Sequence, residues 1–199
     1  MLYPDAQKRA DVVAARITWK ANESQNLDIP NTYWLDESSV NCAMTRVYGR
    51  ALSHERVVDY VPDVRFERTS IISAVGVKGV IAPFVFRGTL NQEVFKVYVD
   101  EILAREHKQG DTLVLDNARV HTVKGVMQSL IDKGIKVIFL PKYSPDLNPI
   151  EFAWSKVKTY LKKEKARNMD DLLKVIPEAL DYISSTDIKG WISHCGYAQ

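Results

Sequence analysis

Apolar residues recur at a spacing of three to four positions in several stretches, and this spacing predicts amphipathic helices. The stretches cover residues 5–25, 90–107, 120–133, 149–163, 169–184 and 187–194. In the helix that starts at Pro149, one stripe contains Ile150, Trp154, Val157 and Leu161. The residues predicted to point inward from the first and third helices are Val12, Val13, Ile17, Trp19, Val123, Val126, Met127, Leu130 and Ile131.

Other stretches are β-branched and apolar, which predicts strands. Residues 32–40 form the first, residues 45–51 are predicted to be its hairpin partner after a turn at 41–44, and residues 57–62 a short edge segment. The remaining strands are predicted at 70–77, 80–86, 112–115 and 135–140, and Pro83 indicates an edge or a bulge. Antiparallel strands followed by strands that alternate with helices predict an α/β fold, with a mixed sheet covered by helices on both faces.

Composition narrows the class of protein. The chain has 199 residues and 46% hydrophobic content, and no apolar run approaches the roughly 20 residues that span a bilayer. The N-terminus shows no signal-peptide pattern, and two cysteines, Cys42 and Cys195, indicate a reducing cytosol rather than a disulfide framework. The four histidines and two cysteines show no zinc-site spacing. These features favour a globular protein of the cytosol.

The net charge of +2 does not by itself indicate a nucleic-acid-binding protein, but the charge is unevenly distributed. Residues 156–167 contain six Lys or Arg and a single acid, Glu164. Such a basic helix face is either solvated surface or a surface that contacts phosphates.

Three carboxylates occupy the ends of predicted strands or the start of a helix. Asp36 lies within the first strand, Asp116 ends the strand at 112–115, and Glu151 lies in the first turn of the helix from Pro149. Neighbouring buried carboxylates repel each other unless a cation lies between them, and Mg²⁺ prefers such oxygen ligands. Two ions of this kind about 4 Å apart support phosphodiester chemistry. The three acids therefore predict a metal-dependent site.

Each acid also has a purely structural interpretation. Asn148 and Glu151 match a capping box that closes the helix end, and Asp116 with Asn117 matches a strand-ending turn. Asp36 also matches an exposed strand residue, and the neighbouring Glu37 is an equal alternative as the functional acid. His121, five residues after Asp116, is either an auxiliary group near the metals or a capping or surface histidine.

Three blocks of the chain resemble the catalytic blocks of DDE transposases, most closely the insertion-sequence 630 branch of the Tc/mariner superfamily. They are Leu35-Asp36-Glu37-Ser38, Leu115-Asp116-Asn117-Ala118-x-x-His121, and Ser144-Pro145-Asp146-Leu147-Asn148-Pro149-Ile150-Glu151-x-x-Trp154. The 34 residues from 117 to 150 that separate Asp116 from Glu151 match the spacing of that branch. The resemblance covers roughly residues 32–163.

The resemblance implies an RNase H-like fold, and Mg²⁺ or Mn²⁺, as two ions, held by Asp36, Asp116 and Glu151. It implies cleavage of DNA at transposon ends and strand transfer into target DNA, commonly at TA, by a homodimer or an assembly with full-length transposase. The expected division is a linker helix at 1–31, the catalytic domain at 32–166 and C-terminal helices at 167–199 that pack on it. The residues expected to contact DNA are Lys142, Lys156, Lys158, Lys162 and Lys163.

The family usually carries an N-terminal helix-turn-helix region, whereas this sequence begins with one helix and then the catalytic blocks. We therefore expect the product of a split reading frame, a decayed copy or a shortened chain. The leading hypothesis is an active catalytic domain. The alternatives are a truncated, non-autonomous partner that regulates a full-length transposase, and a host nuclease with an RNase H-like fold and a different substrate.

Overall fold

One mixed sheet of five strands organises the described residues, 4–62, 67–122 and 125–197, of this computed structural model. The strands are β1 (Thr32–Val40), β2 (Thr69–Gly76), β3 (Gly79–Arg87), β4 (Thr112–Leu115) and β5 (Lys136–Phe139). Their order in the sheet is β3-β2-β1-β4-β5. The β1–β2 and β2–β3 pairs are antiparallel, and the β1–β4 and β4–β5 pairs are parallel. The predicted mixed sheet is confirmed.

Helices connect the strands and follow them. The α-helices are α1 (Ala10–Thr18), α2 (Gln92–Tyr98), α3 (Ala104–Glu106), α4 (Gln128–Asp132), α5 (Ile150–Glu164), α6 (Met169–Asp181) and α7 (Ser185–His194). A π-helical segment, Val99–Leu103, joins α2 to α3, so the predicted helix at 90–107 is one continuous helical stretch. No helix in the described part of the chain is both long and apolar enough to cross a membrane.

The two faces of the sheet carry separate cores because side chains alternate along each strand. Trp34 belongs to the core that contains the apolar stripe of α5 with residues of α6 and α7. Leu35 belongs to the opposite core, which contains Phe95, Tyr98 and Leu130 from the helices at 92–106 and α4. The same alternation directs Asp36 to the α5 face and Glu37 to the opposite face.

The predicted hairpin partner at 45–51 and the edge segment at 57–62 are wrong. The described residues 41–62 contain no strand, and β2 pairs with β1 instead. Val47, Tyr48 and Tyr60 are 82%, 89% and 86% exposed, so no second apolar layer covers this segment. Without such a layer, its β propensity is insufficient to form a strand.

The predicted helix at 120–133 is shorter than expected, because α4 begins only at Gln128. Gly125 has φ +86°, a left-handed conformation that a continuous right-handed helix cannot contain. Val126, Met127 and Leu130 are buried as predicted, but Ile131 is 52% exposed, and Val123 lies outside the described residues.

The predicted N-terminal helix at 5–25 is a series of shorter turns around α1. A 3-10 turn at Asp5–Lys8 precedes α1, and a π-helical segment, Trp19–Glu23, follows it. Val12 and Trp19 are buried as predicted, whereas Val13 and Ile17 are 42% and 64% exposed. Only one narrow stripe of this helix packs on the protein.

Candidate active site

The sheet brings Asp36 and Asp116 side by side. Leu35 of β1 pairs with Leu115 of β4 in the parallel register, so the next residue on each strand is an aspartate. Leu115 also pairs with Phe139 of β5. The chain leaving β5 then forms a loop at 140–149 that leads directly to Glu151 on α5. All three acids therefore lie near the point where the parallel pairing of β1 with β4 ends.

The three acids line one cavity of about 480 Å³. Asn117, Arg119 and Lys142 line it as well. Sequence reasoning did not single out Arg119. Its position directly after Asp116-Asn117-Ala118 could have indicated that Arg119 lies at the cavity. A turn that places a functional aspartate at a site also places the neighbouring residues there.

The carboxyl group of Asp36 is in the most unfavourable electrostatic position of the three. Burial raises its pKa well above the usual range, and repulsion by Glu151, Glu37 and Asp116 raises it further. The backbone N–H of Glu37 opposes this shift only weakly, since it is the last and smallest of the causes. A cation among these carboxylates would remove the repulsion.

Glu151 does not act as a helix cap. The N-cap position of α5 is Pro149, which makes no side-chain cap, and the buried Oδ1 of Asn148 has no hydrogen-bond partner. The predicted cap at Asn148 is therefore wrong, because the cap position moves one residue to a proline. Desolvation raises the pKa of Glu151, Lys158 opposes this, and Asp116 and Glu37 add repulsion. Its carboxylate is thus available to the cavity.

The imidazole of His121 contacts the carboxylate of Asp116. The imidazole is fully buried, and its Nδ1 lies 2.6 Å from Oδ1 of Asp116. The N–H of Ala118 donates to the same oxygen over 3.0 Å. Burial opposes ionisation of Asp116, but the hydrogen bond and attraction from His121, with the Ala118 N–H, outweigh it and lower the pKa.

Glu37 approaches the other side of the same imidazole. Its Oε2 lies 3.6 Å from Nε2 of His121, and the ring of Phe95 packs 4.7 Å from the imidazole ring. Two of the auxiliary residues predicted from the sequence, Glu37 and His121, thus lie close together beside Asp116. The third, Asn117, is exposed and lines the cavity.

The donor set fits hard divalent cations, which prefer oxygen ligands. Within the described residues, no three His, Cys, Asp or Glu side chains converge closely enough to hold an ion by themselves. Mg²⁺ commonly binds through one or two carboxylates and keeps several waters, so a ready-made protein cage is not required.

The basic residues predicted to contact DNA fall into two groups. Lys142 is exposed at the cavity, and Lys158 lies two helical turns after Glu151, close enough to lower its pKa. Lys162 follows one turn later on the same face. Lys156 instead pairs with Asp187 at 2.6 Å, and Lys163 pairs with Glu164 at 3.1 Å.

Two further residues of the basic run hold the exposed segment at 41–62. Arg167 donates to the backbone oxygens of Cys42 and Met44 over 3.0 and 3.1 Å. Lys165 pairs with Asp59. Part of this basic run is therefore structural.

Sequence and structure comparisons relate this chain to known proteins. Among curated proteins, the human histone-lysine N-methyltransferase SETMAR is 29% identical over 108 residues, which are 50% of this chain and 16% of that protein.

Solved structures of the mariner transposase Mos1 share the fold. A paired-end complex with the left transposon end has a TM-score of 0.71 and a complex with Mg one of 0.74, each at 15% identity over 98% of this chain. This chain spans 60% and 63% of those two chains, and 93% of the isolated Mos1 catalytic domain, with a TM-score of 0.65. The predicted RNase H-like fold is thereby confirmed.

The sequence model of the family described as DDE superfamily endonuclease matches residues 31–173, and this range includes all three acids of the cavity. The family predicted from the catalytic blocks is confirmed, and the chain belongs to the DDE superfamily endonucleases.

Proposed function

We propose that this chain is the catalytic domain of an insertion-sequence transposase, which cleaves DNA strands and transfers them to a target in a reaction that depends on divalent cations. The proposal rests on a single observation. Three acids from separate elements, Asp36, Asp116 and Glu151, line one cavity. When bound there, Mg²⁺ or Mn²⁺, as a pair of ions, would supply an activated water and neutralise the charge of the leaving oxygen.

The residues of the chain position the reacting groups. Asp36 and Asp116 present carboxylates from adjacent strands, and Glu151 presents a third from the first turn of α5. Because phosphoryl transfer needs mainly alignment and electrostatic stabilisation, rigid presentation of these three groups is the main contribution of the protein.

Glu37, His121 and Asn117 assist this arrangement. His121 occupies Oδ1 of Asp116 together with the Ala118 N–H, which leaves Oδ2 for a cation. The carboxylate of Glu37 adds negative charge 3.6 Å from Nε2 of the imidazole. Asn117 is exposed in the cavity, where its amide is available to a phosphate oxygen of DNA.

DNA enters along the face of α5 that carries Glu151. Lys158 and Lys162 supply phosphate contacts there, and Lys142 and Arg119 add two positive side chains at the cavity. The ion pairs of Lys156 and Lys163 orient these two side chains toward protein groups, so their contacts with DNA are secondary. Mos1 crystallises with a transposon end, and transposon ends and a TA target are the DNA partners proposed here.

The proposed working form is a homodimer, or an assembly with full-length transposase, in the bacterial cytosol. Large apolar side chains that are at least half exposed cluster between β1 and β2, a concentration that favours contact with another protein chain. They are Val47, Tyr48, Leu52, Val57, Val58, Tyr60 and Val61.

The test is strand transfer with pre-cleaved, labelled DNA ends in Mg²⁺ or Mn²⁺. The wild-type chain should join DNA, EDTA should prevent joining, and Asp116→Ala and Glu151→Ala should each abolish it. Asp170→Ala, which removes an exposed acid at the start of α6, is the matched control and should retain full activity. Full activity in the Asp116→Ala, Glu151→Ala double variant would overturn the proposal.

A further inference from the structure

An ion pair joins the N-terminal helix to the loop that carries the chain into the active site. Arg16 of α1 donates from Nη1 and Nη2 to Oδ1 and Oδ2 of Asp146, over 2.9 and 2.7 Å. The side chains are only 17% and 20% exposed, although 130 residues separate them in sequence. Two parallel bonds of this kind fix direction as well as distance.

Gln7 adds two hydrogen bonds to the same loop. Its Nε2 donates to the backbone oxygen of Tyr143 over 2.6 Å and to Oδ1 of Asp146 over 3.1 Å. The carboxylate of Asp146 is therefore occupied by Arg16 and Gln7. It is a structural acid in this loop and is not available as a fourth acid of the cavity.

Buried packing holds α1 in place for this contact. Trp19, three residues after Arg16, is 4% exposed and belongs to the same core as Leu147 and Ile150. Val12, four residues before Arg16, is 3% exposed. The side of this helical stretch that contains Val12, Arg16 and Trp19 thus faces the protein, and α1 lines a pocket together with the start of the loop at 140–149.

The loop at 140–149 needs outside support. Tyr143 has φ +56°, a left-handed conformation that is unfavourable for a residue other than glycine. On the inner side, the hydroxyl of Tyr197 donates to the backbone oxygen of Leu147 over 2.5 Å. On the outer side, the support comes from Arg16 and Gln7.

This support acts on the active site through short connections. Leu140, at the start of the loop, donates its N–H to the backbone oxygen of Leu115 over 2.8 Å, directly before Asp116. At the far end, Asn148 bonds to Pro145, and the N–H of Glu151 donates to the backbone oxygen of Asn148 over 3.1 Å. Displacement of Asp146 would therefore move Glu151 relative to Asp116.

We infer that Arg16, acting through Asp146, is a positioning residue that fixes Glu151 against Asp116, so that helix α1 is a working part of the catalytic apparatus. This inference rests on the proposed function for its effect on catalysis. The contact between α1 and the loop can be measured independently of that function.

The test compares Arg16→Gln with Arg9→Gln. Arg9 also pairs with an aspartate, Asp11 at 2.8 Å, but that pair is exposed and local, which makes it a matched control. Hydrogen exchange at the amides of residues 143–151 reports loop order. Mn²⁺ affinity by calorimetry and the rate of strand joining report the site.

Arg16→Gln should speed exchange in the loop at least tenfold, weaken Mn²⁺ binding and slow joining at least tenfold. Arg9→Gln should resemble the wild type in all three measurements. Reversal of the pair, Arg16→Asp with Asp146→Arg, should recover part of what Arg16→Asp alone loses. If the ion pair only stabilised the fold, Arg16→Asp and the reversed pair would join DNA at the same rate at a temperature where both are fully folded.

Two results would overturn the inference. The first is a rate of hydrogen exchange in residues 143–151 of Arg16→Gln that equals the rate in the wild type. The second is faster exchange there while Mn²⁺ affinity and joining stay at wild-type levels. If the wild-type chain itself neither binds Mn²⁺ nor joins DNA, the proposed function fails and the catalytic part of the inference fails with it, whereas the exchange data still decide whether Arg16 orders the loop.

Discussion

Replacement of Asp36 by asparagine should stabilise the protein when divalent cations are absent. Burial and repulsion from Glu151, Glu37 and Asp116 raise the pKa of this carboxyl group well above its usual range. A raised pKa means that the ionised carboxylate is less favourable in the folded chain than in the unfolded chain, so at neutral pH it lowers the free energy of unfolding. Asparagine has nearly the same shape and carries no charge.

The size and pH dependence of the effect follow from linkage. Each unit by which the pKa is raised corresponds to about 1.4 kcal/mol. Replacements that relieve unfavourable charge commonly give roughly 0.5–2 kcal/mol. About 1 kcal/mol changes the melting temperature of a chain of this size by about 2–4 °C, so we expect an increase of about 1–8 °C at pH 7.5. The gain should be absent below the unfolded-state pKa, grow as the pH rises toward the folded-state pKa, and be constant above it.

Scanning calorimetry in EDTA between pH 4 and 8 measures this gain. Asp111→Asn is the control, because the fully buried Asp111 accepts a hydrogen bond from the Lys108 N–H over 3.0 Å, and its replacement should lower the melting temperature. Addition of Mn²⁺ should stabilise the wild type, by about 2.7 kcal/mol at 100 times its dissociation constant, and stabilise Asp36→Asn less. A lower melting temperature for Asp36→Asn in EDTA at pH 7.5 would refute the reasoning, because it would show that the acid makes net favourable contacts.

Three further predictions concern stability. Trp154→Ala should lower the free energy of unfolding by about 3–5 kcal/mol in urea titrations, because this 3% exposed side chain fills the α5 core; a loss below about 1 kcal/mol would contradict this packing. Gly76→Ala should cost roughly 1–3 kcal/mol, since the new Cβ would lie 2.6 Å from Cδ1 of Tyr33 and 2.9 Å from the backbone oxygen of Thr32; an unchanged stability would contradict this close packing. Hydrogen bonds from Lys156 and from the side chain and backbone of Ser184 lower the pKa of Asp187 to about 2, so their stabilising effect should be complete above the unfolded-state pKa and lost as the pH falls toward 2; a melting-temperature difference between wild type and Asp187→Asn that persists at pH 2 would contradict the assignment.

Much of the architecture could be predicted because local pattern and global fold agree. The apolar run at 112–115 ends at Asp116, and a central strand buried on both faces requires such a run. The β1 strand was predicted with its observed bounds, and Asp36 and Asp116 become neighbours as soon as β1 and β4 pair in parallel. The position of these acids therefore follows from strand order together with the β1–β4 register.

Other features depend on contacts that no local pattern contains. The apolar and β-branched residues at 45–51 have strand propensity but no surface to pack on, so they remain exposed. The left-handed backbone of Gly125 keeps α4 from beginning before Gln128, and composition does not specify this conformation. The bonds between Arg16 and Asp146 join residues far apart in sequence, and they require the complete fold. Long-range polar contacts were thus the part of the site that sequence reasoning missed.

The three acids are held by three different supports, and this division explains why the site needs both faces of the sheet. Asp36 is fixed by a central strand, Asp116 by a buried imidazole on the α2 face, and Glu151 by α5 on the opposite face. Like charges that line one cavity would move apart if their supports were flexible. Because each support belongs to a separate packed layer, the layers resist this movement. The carboxylates therefore stay close together, and their mutual repulsion favours the binding of cations. A variant that loosens one layer should therefore weaken cation binding before it unfolds the chain.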